Sequence, residues 1–164
     1  MRGVEARGAD IATVLAAMAG RREWNLKVAY DAAKLAANAG AVSADVAGLD
    51  ADIAAAAPGR RYLLERKRAD LVKTEVSRAA RRLAGDLLDA LREHAEDARA
   101  LPLAGGDDQG NVVLNAALLV HEDSAAALRE TAGRLAGEYD ALGMIVSFSG
   151  PWAPYRFLED QSDA

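Results

Sequence analysis

Residues 144–157 read MIVSFSGPWAPYRF, an apolar run that gives way to a cluster of proline and aromatic side chains. Pro151 has no amide hydrogen to give to a ladder, and Pro154 biases Ala153 away from helix. Met144–Ser149 is therefore predicted to be a strand, with the chain beyond Ser149 extended or turned. The cluster holds two of the four prolines, one of the two tryptophans and one of the two phenylalanines. Trp152, Tyr155 and Phe157 are thus gathered on a stiff backbone. Two readings stay open: a lid that tucks rings over the end of a core, or a preformed docking surface for another protein, because rigid rings lose little entropy on binding.

Outward from this strand, the pattern is regular. Leu128, Thr131, Leu135, Tyr139 and Leu142 make one helical stripe, with Asp123 or Ser124 placed to cap it and Gly143 to end it. Val112–Val120 is almost wholly apolar, which predicts a strand covered on both faces. A strand, a single helix and a second strand imply parallel strands with a right-handed crossover. Upstream, residues 102–110 contain three glycines and two aspartates and are predicted to be a flexible loop. Before it, no proline occurs from Arg60 to Arg99, and Leu64, Leu71, Val72, Val76, Ala79, Leu83, Leu87 and Leu91 recur at helical spacing. A helix of that length would reach ~60 Å, so it is expected to bend or divide near Gly85, or to project.

Residues Asp31–Ala57 are alanine-rich and broken by Gly40 and Gly48, which predicts two short helices or a loosely ordered helical excursion. Trp24, Leu26, Val28 and Tyr30 alternate with Asn25, Lys27 and Ala29, the period of a strand buried on one face with Lys27 on the other. Asp10, Ile11, Val14, Leu15 and Met18, ahead of Gly20, predict a short capped amphipathic helix. The elements sum to an α+β fold in a single domain spanning residues 1–164: a modified ferredoxin-like, split β-α-β sheet with a helical insertion over residues 31–101. Counted this way the first strand is missing, and its place lies between the strands at 112–120 and 144–149. The weak segment Met1–Gly8, direct pairing of those two strands, or a strand from a neighbour would fill it.

Composition narrows the function. The net charge is −5, there is no cysteine, and no basic and apolar leader or long apolar run occurs, so general nucleic-acid binding, thiolate metal sites, secretion and a membrane span are not indicated. Only two histidines are present, His94 and His121. His94 reads as a solvated helix residue beside Glu93 and Asp97. His121, Glu122 and Asp123 are neighbours in sequence, which do not point together from a strand end, and no phosphate loop, nucleophile elbow or carboxylate motif is present. No catalytic residue, metal or cofactor is assigned. The first half of the long helix is basic, with Arg60, Arg61, Arg66, Lys67, Arg68 and Lys73. Acids are interleaved, and Asp70 with Lys73 or Glu75 with Arg78 stand three apart, as on a solvated helix face. A patch for an acidic partner is the alternative.

Four blocks, in order, resemble the gas vesicle accessory proteins F and L. The tail matches that family's glycine, proline, tryptophan, proline, proline, tyrosine, small residue and phenylalanine signature, departing from it at Ala153 and Arg156. Glu23, Trp24, Lys27 and Val28 are similar to its strand after a helix and glycine. Pro58, Gly59, Arg60, Tyr62, Leu63 and Leu64 are similar to the start of its long helix, and Asn111, Leu114, Asn115, Ala116, Ala117, Leu119 and Val120 to its central strand. The resemblance runs from about Ala9 to Phe157 and corresponds to the C-terminal half of a usual member, as in a short paralogue or a fragment. It implies a non-enzymatic assembly factor, cytoplasmic and then vesicle-associated, that binds the small hydrophobic main shell protein and keeps it from aggregating before nucleation. Remaining in the vesicle as a minor component, and contact with other accessory proteins or with itself, are further implications. Arg60, Tyr62, Arg66, Trp152, Tyr155 and Phe157 are the candidate partner-binding residues. A helical scaffold linking several assembly proteins, and a nucleic-acid-binding regulator using the basic helix, are the alternatives.

Overall fold

The computed structural model describes residues 11–103 and 111–158. Asp10, the segment Met1–Gly8 and most of the loop predicted over 102–110 lie outside them. Residues 11–17 form helix α1. Strand β1 follows (Arg21–Tyr30), with Trp24, Leu26 and Val28 buried as the alternation predicts.

The alanine-rich stretch makes three short helices: α2 (Ala32–Ala37), α3 (Ala39–Val42) and α4 (Ala44–Ala55). Asp31 caps α2 by accepting the Lys34 amide at 2.9 Å, and Ser43 caps α4 by accepting the Val46 amide at 3.4 Å. Each cap satisfies an amide that the helix itself leaves unpaired. Leu35, Ala39, Val46 and Leu49 are buried, so this region is anchored to the core by a few large side chains among many small ones.

Helix α5 (Pro58–Arg92) is continuous through Gly85, 35 residues long and so ~52 Å at the standard rise. It neither bends into two helices nor extends to Arg99. Pro58 at its first position costs nothing, because that amide would have no helical partner. Its fully buried residues begin at Glu75 and Val76 and run to Leu91, so the second half packs in the core, and the first half projects from it with α4 alongside. The pairs Asp70 with Lys73 at 3.5 Å and Glu75 with Arg78 at 2.6 Å form as their spacing predicts.

After α5 the chain departs from the sequence reading: Asp97–Ala100 is a strand, β2. It pairs antiparallel with β3 (Asn111–His121), Asp97 opposite Leu119 and Arg99 opposite Ala117. A 3-10 turn (Glu122–Ser124) leads into helix α6 (Ala125–Leu142). Gly143 then takes φ +107, where a Cβ would stand 2.7 Å from the Leu35 amide nitrogen. Strand β4 (Met144–Trp152) and a single helical turn, α7 (Tyr155–Leu158), complete the described chain.

The sheet order is β2-β3-β1-β4, antiparallel at every junction. No strand is missing. The place between β3 and β4 is occupied by β1: Trp24 faces Leu118 on one side, and Leu26 faces Phe148 on the other. β1 takes that place itself, as the first strand of the split β-α-β arrangement, so β3 and β4 do not pair directly. The strand that the sequence pattern does not reveal is β2, at the edge. Since β3 and β4 each run antiparallel to β1, they are parallel to one another, as their single-helix connection requires.

One sheet face carries the main core. Trp24, Leu26, Val28, Ala116, Leu118 and Val120 meet Val76, Ala80, Leu87 and Leu91 of α5 and Leu128 and Ala132 of α6. At the standard value for buried apolar area, each fully buried leucine contributes about 1.5–3 kcal/mol.

Candidate functional site

The opposite sheet face is mixed in character, and the tail closes over one end of it. Along β1 the residues on this face are Glu23, Asn25 and Lys27, beside Leu119, Ala117 and Asn115 of β3 and Ser149 and Ser147 of β4. A small second core forms here from Ala117, Leu119 and Phe157, with Met18 and Leu101 against it. Lys27 is half-buried at the centre of the sheet.

Glu23 organises the tail. It is 2% exposed, and burying a carboxylate is costly unless it is paired and hydrogen-bonded. The Arg156 guanidinium donates to it, and the Arg156 backbone amide donates to its Oε2 at 3.3 Å. The same guanidinium donates to Asn25 Oδ1 at 2.9 Å. Arg99 of β2 donates to the Arg156 carbonyl at 2.8 Å, and its guanidinium stands over the Phe157 ring, 4.5 Å from the centroid. Arg156 and Arg99 therefore tie α7 to β1 and β2, with Phe157 plugged beneath.

The route into this arrangement is the Gly150–Pro151 step. β4 does not stop at Ser149, as the prolines suggest, but runs to Trp152 with a register shift opposite Glu23 and Asn25. β4 is an edge strand, where a residue without an amide hydrogen is tolerated. Gly150 has φ +148, and a Cβ there would lie 2.8 Å from the Trp24 ring. Trp24 in turn stacks on Phe148 at 5.1 Å. Glycine is needed because the backbone passes directly over a buried indole.

The three tail rings have separate fates. Phe157 is 1% exposed and belongs to the second core, so it is not part of an accessible contact surface; the candidate set from sequence is corrected at this position. Trp152 is 54% and Tyr155 is 70% exposed. With Glu23, Asn25, Ala153 and Arg156 they line a cleft of about 380 Å³. Two aromatic rings standing in water over a pinned backbone can bury apolar area on a partner with little loss of chain entropy.

Arg60, Tyr62 and Arg66 do not line that cleft; on α5, Tyr62 and Arg66 are four apart and share a face, whereas Arg60, two before Tyr62, lies on the far side of the helix. They lie on the projecting half of α5, ~24 Å of helix separating Arg60 from Val76, and Tyr62 is 62% exposed with Leu63 beside it at 65%. Arg68 is directed elsewhere: it clasps Asp50 of α4. That clasp holds the Asp50 carboxyl below the usual carboxylate range, chiefly through the Arg68 hydrogen bond, with partial burial opposing.

Neither histidine lies in the cleft. His94 is half-buried, not solvated, and meets the Thr131 hydroxyl of α6 at 3.0 Å. His121 does meet its neighbour: Nδ1 accepts the Asp123 amide at 3.3 Å and lies 3.3 Å from Asp123 Oδ2, because the chain turns immediately into a 3-10 helix. Among the described residues, no group of three His, Cys, Asp or Glu side chains is placed to hold a metal, and no helix is long and apolar enough to cross a membrane.

Residues 2–159 match the model of the family described as gas vesicle synthesis protein GvpL/GvpF. No curated protein matches in sequence. Among solved structures, the chain is similar to the gas vesicle protein GvpF from Anabaena sp. PCC7120, at TM-score 0.62 and 16% identity over 96% of this chain and 62% of that one. It is also similar to GvpF from Microcystis aeruginosa, at TM-score 0.60 and 15% identity, covering 94% and 61%. The chain thus spans about three fifths of the length of the solved proteins it matches.

Proposed function

From the premise that this chain belongs to the gas vesicle synthesis protein GvpL/GvpF family, we propose that it acts in vesicle assembly by binding the small hydrophobic main shell protein and keeping it from aggregating before nucleation. Family membership carries a gas vesicle-related role. The contact itself is our reading, and the observation that supports it is the pair Trp152 and Tyr155, exposed at the rim of the tail cleft while the backbone beneath them is pinned by Glu23 and Arg156. Exposed tryptophan and tyrosine on a rigid support are the side chains that most often dominate protein contacts. The basic projecting half of α5, with Arg60, Arg66 and Tyr62, supplies charge complementarity to acidic positions of the same or another assembly partner. On this reading the protein works by binding alone and performs no reaction, and it stays with the growing vesicle as a minor component.

Co-purification with the main shell protein tests the contact. The Trp152→Ala/Tyr155→Ala double variant is expected to keep its thermal midpoint, since exposed changes of this kind usually shift stability by less than about 0.5 kcal/mol, and to lose about tenfold or more in binding. A folded double variant that binds as the parent does removes the tail cleft from the proposal.

A scaffold role resting on α5 is favoured by one observation, the exposure of Tyr62 and Leu63 on a helix end that projects from the core. Arg60→Glu with Arg66→Glu would then abolish contacts with other accessory proteins while shell-protein binding persists.

A further inference from the structure

β4 is an edge strand that, among the described residues, pairs with β1 alone. A free edge presents unpaired amides and carbonyls, and natural proteins blunt such edges with charge, proline or a covering element. Residues 144–150 carry no charge, and no proline appears before Pro151. Beside this edge, between β4 and α6, runs a groove of about 450 Å³ lined by Trp24, Ala132, Gly133, Ala136, Val146 and Phe148, with Arg129 at one end. Gly133 and Ala136 keep the helix wall low.

We propose that this edge and groove receive a second copy of the chain, β4 pairing antiparallel with its twin about a twofold axis at Ser147, so that two four-stranded sheets join into one. The occupant follows from the self-complementarity of both layers about one axis. In the strand layer, pairing about Ser147 sets Val146 against Phe148 of the partner subunit and Ile145 against Ser149 of the partner subunit, with no like charges opposed. In the helix layer, Arg129, Gly133, Ala136 and Asp140 fall on a single stripe of α6. The midpoint of that stripe lies between Gly133 and Ala136, the residues that flank the groove beside Val146 and Phe148.

A twofold axis there carries Arg129 to Asp140 of the partner subunit, and the converse pair forms at the other end. Arg129 has no ion-pair partner among the described residues, and Asp140 holds only Lys34, at 3.4 Å, with its own side chain 74% exposed. A stripe that is cationic at one end, small in the middle and anionic at the other complements its own copy twice, whereas an unrelated extended segment would meet it once. Such an isologous contact is closed, so it uses the free edge without propagating. Trp152 and Tyr155 lie beyond the segment 144–150 that pairs, so this inference stands or falls apart from the shell-protein contact.

Sedimentation equilibrium of the purified chain at about 100 µM tests it, a concentration at which even a modest Kd of order 10 µM leaves mostly dimer. A dimer that dissociates on dilution is expected. Ser147→Lys sets two ammonium groups opposite each other at the axis and is expected to weaken the dimer at least about tenfold, with circular dichroism confirming that the exposed change leaves the fold intact. Arg129→Asp and Asp140→Arg should each weaken it, and the two together should restore it. Ser147→Cys, in a chain that otherwise lacks cysteine, should give a disulfide-linked dimer on oxidation, since paired residues sit close enough to be bridged. A monomer at about 100 µM overturns the proposal, whether its β4 edge stays free or instead takes up an extended peptide. So does a dimer that is indifferent to Ser147→Lys and that oxidation of the Ser147→Cys variant fails to cross-link.

Discussion

Phe157 and Trp152 stand five positions apart in one aromatic cluster, yet one ring is sealed and the other is in water. The difference lies in what each meets. Phe157 falls between Ala117 and Leu119, whose size leaves room for a ring, and Arg99 covers its face. Trp152 lies past the register shift at the end of β4, where the sheet offers no further apolar neighbour to cover it. Phe157→Ala is therefore expected to destabilise the protein by about 3–5 kcal/mol, the range for emptying a buried aromatic site, measured as a lowered midpoint in urea. A change below about 1 kcal/mol would mean that the ring is not part of the core. Sequence reasoning identifies the cluster but cannot sort its members, since burial depends on residues from β2 and β3. Glu23 is visible in the sequence only as part of a resemblance. Its role depends on Arg156, 133 positions away, and nothing in local sequence links the two.

At the scale of elements, the strong periodic patterns are legible: β1, β3, α6 and β4 all occur where alternation or the helical stripe places them. The weak ones are not. β2 reads Asp-Ala-Arg-Ala at residues 97–100, a composition with little strand preference that continues a helical pattern without a proline to stop it. It becomes a strand because β3 offers an edge to pair with. α5 stays unbroken at Gly85 because a single glycine costs a helix only about 1 kcal/mol, and burial of Leu87, Leu88 and Leu91 beyond it exceeds that. The projecting half of α5 is held to α4 by Arg68 and Asp50. The folded Asp50 carboxyl titrates below its ordinary value, so this contact contributes above the usual aspartate pKa of ~3.9 and is lost as pH falls through the depressed folded value. Amide chemical shifts of α4 should therefore hold as pH is lowered through about 4 and move below it. Asp50→Asn should remove the acid-dependent part, and an unaltered pH profile in that variant would show that another group governs it.

For the whole molecule, the predicted class stands: a mixed fold with a split β-α-β sheet, similar in fold to solved gas vesicle proteins. Cells lacking this polypeptide, and lacking a relative able to cover for it, are expected to form few or no buoyant vesicles, scored by flotation and electron microscopy. Normal flotation would reject the assembly role. Local sequence determined the identity of the strong elements, because alternation and helical stripes are imposed by backbone geometry within a few residues and need no distant partner. It also determined the gathering of rings at residues 152–157 and the basic run at the start of α5. Only the tertiary structure decided that β1 sits at the centre of the sheet, that Asp97–Ala100 is a strand, and that Phe157 is core while Trp152 and Tyr155 face solvent. Those outcomes depend on which surfaces meet after the chain has folded back on itself, from Asp97 opposite Leu119 to Glu23 opposite Trp152, and short-range preference carries no information about pairings of that span.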